Sequence, residues 1–91
     1  MWTVHQTRRF MRQYKRLPDN TAADVDDAVL RLQQDPDAGE QKKGDLVQLR
    51  VLKFRSAGQL FLLGYSLEQS IRLISLEAVG PHENFYRDLK R

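Results

Sequence analysis

Four residues in this chain have the chemistry to move a proton beside a phosphate: His82, Tyr86, Lys53 and Arg55. Imidazole exchanges protons near neutral pH. In transesterification of RNA such a group takes the proton of the attacking 2′-hydroxyl or supplies one to the leaving 5′-oxygen, which contributes roughly 10²- to 10⁴-fold in rate. Tyr86 follows His82 by four residues, so on a helix the two lie on one side. There a phenol can stack on an unpaired base or share a proton. Lys53 and Arg55 are two apart, which on a strand puts them on one face about 7 Å from each other. Fixed cations beside a pentacoordinate phosphorane stabilise the transition state more than the ground state.

Each of these residues has a competing structural role. An isolated histidine at a helix start has little motif specificity. Tyr86 could pack its helix onto a sheet, although Phe85 and Leu89, also four apart, are the better core candidates. Paired charges on a strand commonly face solvent. Arg50, Lys43, Arg87 and Lys90 are candidate contacts to nucleic-acid phosphates, with Arg91 adding to a diffuse attraction at the tail, and the competing reading of the tail residues is a solvated helix face. His5 is a strand residue with no assigned role. No metal centre or other cofactor is expected: the two histidines are far apart, cysteine is absent, and Asp24, Asp26 and Asp27 are explained by a helix dipole. There is no glycine-rich phosphate loop.

These residues need a scaffold, and 91 residues supply one small domain with a thin core. With 41% hydrophobic and 30% charged residues, the composition is that of a globular domain rather than a disordered chain. The lack of cysteine fits a reducing compartment, so a cytoplasmic location is expected. The beginning of the chain has no apolar signal-peptide region, and its longest apolar run, LFLLGY, is too short to span a bilayer. A net charge of +3 permits an anionic partner. The bases gather in residues 7–16, 42–43, 50–55 and the tail, while acids gather in 19–27.

Periodicity sets out the elements. WTVHQ alternates as a short strand. Phe10, Met11, Tyr14 and Leu17 form one stripe of a helix that Thr7 can cap and Pro18 ends. Ala22, Val25, Ala28, Val29 and Leu32 mark a second helix, with Asp24, Asp26 and Asp27 in its first turns and Pro36 after it. Residues 37–46 read as a polar loop. LVQLRVLKFR, QLFLLGYSL and SIRLISLEAV then form a three-stranded antiparallel meander joined at SAG and EQ. In its first strand Arg50 faces one way and Lys53 and Arg55 the other, and Leu60 to Leu63 marks a central strand. Gly80-Pro81 opens a terminal helix. The predicted order is β-α-α-β-β-β-α over residues 1–91. This is one α+β domain with a helical hairpin on one face of an antiparallel sheet, the other face being left for solvent or a partner.

This order, with LRVLKFRSAGQLFLLGYSL and the ending VGPHENFYRDLKR, resembles the RelE/ParE superfamily of toxins from bacterial type II toxin–antitoxin pairs. The resemblance covers nearly the whole chain. Its most specific parts, KFRSAGQLFLL and the G-x-H-x-x-x-[FY] ending, look like the YafQ, HigB and RelE type of ribosome-dependent mRNA endonuclease (mRNA interferase). The resemblance implies a compact RelE-like fold that enters the ribosomal A site and cuts mRNA by 2′-hydroxyl attack on the adjacent phosphate, without metal. By the same resemblance His82 matches the catalytic histidine, Tyr86 the aromatic one turn on, and Lys53 and Arg55 the basic pair of the first meander strand. Leu60 stands where RelE has a phosphate-contacting arginine, and the strand lacks the histidine of YafQ.

The implied partners are mRNA, the ribosome and a cognate antitoxin whose helix or strand crosses the sheet, with no membrane and no small-molecule cofactor. Arg8, Arg9, Arg12, Lys15 and Arg16 are either contacts to ribosomal RNA or the outer face of the first helix. The alternative function is that of the ParE branch, inhibition of DNA gyrase without nuclease chemistry. That branch has no need of a proton-transfer histidine. A toxin-derived binding module without toxicity is a third reading.

Overall fold

The computed structural model describes residues 1–44 and 48–90. Its elements are β1 (Thr3–Gln6), α1 (Arg8–Lys15), α2 (Asp19–Gln34), β2 (Glu40–Gln41), β3 (Arg50–Ser56), β4 (Gln59–Glu68), β5 (Leu73–Pro81) and α3 (His82–Leu89). Thr7 caps α1 as expected. Its Oγ1 accepts the Phe10 N–H at 3.2 Å and donates to the Leu76 carbonyl at 2.8 Å, so the cap also ties the helix to the sheet. α2 starts immediately after Pro18. The carboxylate in its first turn is therefore Asp19, and Asp24, Asp26 and Asp27 lie further along. Asp26 accepts the Tyr14 hydroxyl at 2.7 Å instead, bridging the helical hairpin.

The sheet has the order β1-β5-β4-β3-β2. The predicted meander is present with β4 at its centre, and β3 and β4 join through Ala57 and Gly58, both at positive φ (52° and 76°). Two features enlarge it. β1 pairs in parallel with β5, Thr3 opposite Leu73, so the sheet is mixed. β2 arises inside the stretch read as loop, with Glu40 opposite Val51 and Gln41 opposite Arg50. The expected beginning of β3 at residues 46–47 lies outside the described residues.

Both sheet faces are used. On one, α1 and α2 bury Phe10, Val25, Ala28 and Leu32 against Leu52, Leu63, Tyr65, Ile74, Leu76 and Val79. On the other, α3 buries Phe85 with Leu49, Val51, Leu62 and Ala78, so this face is not left wholly to solvent. A bulge between these packings resets the alternation. Gly64 faces Ala78 but Tyr65 faces Leu76, which leaves Glu77 as an extra residue in β5. Ile74 and Leu76 thereby join Val79 in the hairpin-side core, although strict alternation would separate them.

Two polar contacts fix the hairpin side internally. Ser56 donates to Thr21 at 2.8 Å, joining the end of β3 to α2. The buried Tyr65 donates its hydroxyl to the Pro36 carbonyl at 2.7 Å and accepts the Gly39 N–H at 2.9 Å. A Cβ on Gly39 would stand 2.6 Å from that hydroxyl, which is why the loop must carry glycine there.

Candidate functional site

α3 begins without a side-chain cap directly after Pro81, the last residue of β5, so the sheet itself aims its first turn. His82 is exposed there. Glu83 accepts the Gln59 Nε2 at 2.9 Å, which anchors the helix start to the β3–β4 hairpin. Further along, Phe85 seals α3 to the sheet above Gly64. A Cβ at that glycine would lie 2.8 Å from Phe85 Cζ and 3.2 Å from Leu49 Cδ1. α3 rests chiefly on β4 and β5, and its Phe85 also shares a core cluster with Val51 of β3.

The strand registers relate His82 to the basic pair. Lys53 pairs with Leu62 and Arg55 with Leu60, and Phe61 pairs with Pro81. The β4–β5 ladder ends at that pair, and His82, the first residue of α3, comes directly after Pro81 at the Leu60 end of β4. Arg55 and the half-buried Leu60 face each other across β3 and β4 at the same end of the sheet. Lys53 and Arg55 are both exposed. Among the described residues no hydrogen bond or ion pair engages the side chain of His82 or of Lys53. Arg55 instead donates to the Gly58 carbonyl at 3.3 Å and borders a shallow pocket on the α2 side with Asp24, Asp27 and Arg31.

Tyr86 combines both of its anticipated roles. Its ring packs on the α3-side core and meets Phe85 edge to face at 5.1 Å, yet it remains partly exposed one turn from His82. Beside it is Lys42, whose Nζ lies 5.5 Å from the ring centroid and 3.4 Å from Glu40 Oε1. The Tyr86 hydroxyl first, and Glu40 after it, hold the Lys42 ammonium above its ordinary pKa, so it stays charged at neutral pH.

Sequence reasoning chose Lys43, which is exposed, and missed Lys42. The lysine pair marks the location, but which lysine turns inward depends on the Lys42 N–H reaching the Leu49 carbonyl at 2.8 Å, a closure that no local pattern encodes. Arg50 lies apart from the row, on the hairpin side, 3.5 Å from Asp37. Arg87 donates to Asn84 at 2.8 Å, and Lys90 is exposed just past the end of α3. Arg91 is outside the described residues. Among the described residues no group of His, Asp and Glu is arranged to hold a metal ion, and no helix is long and apolar enough to cross a membrane.

Comparison with known proteins gives a family and a fold. A family model described as the ParE-like toxin of type II bacterial toxin–antitoxin systems matches residues 4–90. No curated protein sequence matches the chain. A chain of the toxin–antitoxin complex RelBE2 from Mycobacterium tuberculosis superposes with a TM-score of 0.78 at 20% identity, covering 89% of this chain and 98% of that one. A mutant of the E. coli toxin RelE in the free state gives 0.77 at 13% identity over 98% and 90%. The intact E. coli RelBE complex gives 0.74 at 15% identity over 89% and 96%. At such identities the likeness is one of fold.

Proposed function

Because the chain belongs to the ParE-like toxins of bacterial type II toxin–antitoxin systems, we propose that it is a metal-independent, ribosome-dependent mRNA endonuclease. The observation that carries this reading is the strand register that brings Arg55 and Leu60 to the end of the sheet where β5 gives way to His82, with Tyr86 one turn further along α3. A scissile phosphate lies over Leu60. His82 takes the proton of the 2′-hydroxyl, the 2′-oxygen bonds to phosphorus, and the P–O5′ bond breaks to leave a 2′,3′-cyclic phosphate. The 5′-oxygen receives a proton from a second donor, Tyr86 or water.

Arg55 turns from the Gly58 carbonyl onto the phosphate, and with Lys53 it stabilises the extra negative charge of the phosphorane. Tyr86 supports the unpaired base or shares the proton. Lys43, Arg50, Arg87 and Lys90 contribute weaker attraction to RNA. The cognate antitoxin silences the toxin by covering the α3 face. Support for such a partner comes from the solved relatives, of which two are toxin–antitoxin complexes.

One observation favours the second reading, inhibition of DNA gyrase: Arg55 is turned onto Gly58 and no contact joins His82 to Lys53 among the described residues. Growth arrest and primer extension on a reporter mRNA separate the two. Induced wild type is expected to arrest growth with new mRNA ends, and His82→Ala to do neither while remaining folded. Arrest by both proteins without cleavage would transfer the activity to gyrase.

A further inference from the structure

β1 pairs with β5 only through Leu76, so the last residues of β5 have no strand on that side. α1 takes over the vacant edge: Gln13 Oε1 accepts the Val79 N–H at 2.8 Å, in place of a ladder partner. From the other sheet face α3 brings Asp88 round the same edge. The two helices enclose an open cleft of about 310 Å³ lined by Arg9, Arg12, Gln13, Arg16 and Asp88.

Arg9, Arg12 and Gln13 of α1 and Arg16 at its C-cap are spaced i, i+3, i+4 and i+7 and so share one helix face. On a helix, Asp88 is turned well away from His82 and Tyr86, so this cleft lies behind α3 as seen from the candidate active site.

The charge here is unbalanced. The first 18 residues contain no Asp or Glu, and Asp88, which lies 3.8 Å from Arg87, is among the described residues the one carboxylate lining the cleft. Arg12 and Arg16 have no carboxylate partner among those residues. The helix dipole accounts for bases in the last turn of α1. With its oxygen held by Val79, the Gln13 amide offers only N–H donors to the cleft. The guanidinium forks of Arg12 and Arg16, with an amide donor beside them, match the geometry of phosphate oxygens.

We infer that the α1–α3 cleft is a second RNA-binding surface, which grips phosphates of the RNA backbone through Arg9, Arg12 and Arg16 without reading bases. It lies outside the residues that would do chemistry, so RNA can pass over α3 from one surface to the other. This inference stands whether or not the endonuclease reading does, since it concerns binding alone.

The test is the salt dependence of binding to fluorescein-labelled oligouridine, using His82→Ala as the parent so that no cleavage intervenes. Adding Arg12→Glu and Arg16→Glu should weaken binding and lower the slope of log K against log[salt] by about 1.4, roughly 0.7 for each phosphate left without its arginine. Arg8→Glu with Lys15→Glu changes net charge equally on the same helix but outside the cleft, and should leave most of the slope intact. An unchanged slope in the cleft variant overturns the inference. So does an equal fall in both variants, which would mean diffuse attraction without a site. Failure of the endonuclease reading would appear elsewhere, as mRNA cleavage that survives His82→Ala or is never seen.

Discussion

Tyr65 shows how one side chain can set a response to pH. Burial, the largest cause, raises its pKa above the ordinary 10.0. The folded state thus holds the phenolic proton more tightly than the unfolded chain, and the stability this contributes is complete below about pH 10 and falls as pH rises through the folded value. Replacing Tyr65 with Phe also strands the Gly39 N–H and the Pro36 carbonyl. The expected destabilisation is about 1–3 kcal/mol at neutral pH, with a shallower alkaline decline than wild type. Urea midpoints measured on both sides of about pH 10 would check both. A variant that declines as steeply as wild type would assign the titration to another group, such as Tyr14, whose pKa is raised first by its hydrogen bond to Asp26.

Gly64 acts on the candidate site without touching it. A methyl group there meets Phe85, the ring that seals α3 to the sheet, so the clash bears on the helix that carries His82 and Tyr86. Gly64→Ala is expected to destabilise by about 1–2 kcal/mol and to abolish growth arrest beyond what the lower stability explains. Phe85→Leu in the same chain should recover part of both. A thermal melt alongside the toxicity assay would separate displacement from unfolding. Full toxicity in Gly64→Ala would show that α3 tolerates the shift.

Among the elements, the β3–β4 hairpin carries a conformational cost. A two-residue turn with both residues at positive φ suits Asn-Gly, and here Ala57 fills the first place at φ 52°. Ala57→Asn is expected to raise stability by about 0.5–1 kcal/mol, visible as an upward shift in melting temperature, with no effect on the α3 face. This turn was legible because SAG separates two β-rich runs. So were the amphipathic helices, since Phe10, Val25, Ala28 and Leu32 follow the helical period and do form the core.

What stayed hidden depends on contacts distant in sequence. The two-residue β2 exists only because β3 offers it a ladder, and the Glu77 bulge breaks the period on which strand faces are judged. His82, Tyr86, Lys53 and Arg55 were readable as residue types. That Arg55 and His82 come to one end of the sheet was not, because it follows from the register of β3, β4 and β5. Lys42 was hidden for the same reason, since its partner Tyr86 is more than forty residues away.

At the scale of the whole molecule, a single sheet separates two kinds of work. The hairpin side holds the larger packed core, and no buried side-chain polar atom among the described residues lacks a partner. The α3 side and the β5 edge carry exposed bases instead, Lys53 and Arg55 on one and Arg12 and Arg16 on the other. Substitutions on the hairpin side should therefore change melting temperature and toxicity in proportion, whereas Lys53→Ala and Arg55→Ala should change toxicity alone, with stability within about 0.5 kcal/mol of wild type.

The parallel pairing of β1 with β5 also bears on how the chain folds. Thr3 meets Leu73 only across a loop that spans most of the chain, and closing so long a loop carries an entropic penalty that local hairpins avoid. β1 is expected to dock late. Val4→Ala should then speed unfolding while scarcely slowing folding, a φ-value near zero in stopped-flow chevrons. α3, with His82, follows β5 directly in the chain. A nascent chain thus has neither its first strand docked nor its candidate catalytic helix seated until β5 and α3 have both been made, and any toxic activity waits for the same moment.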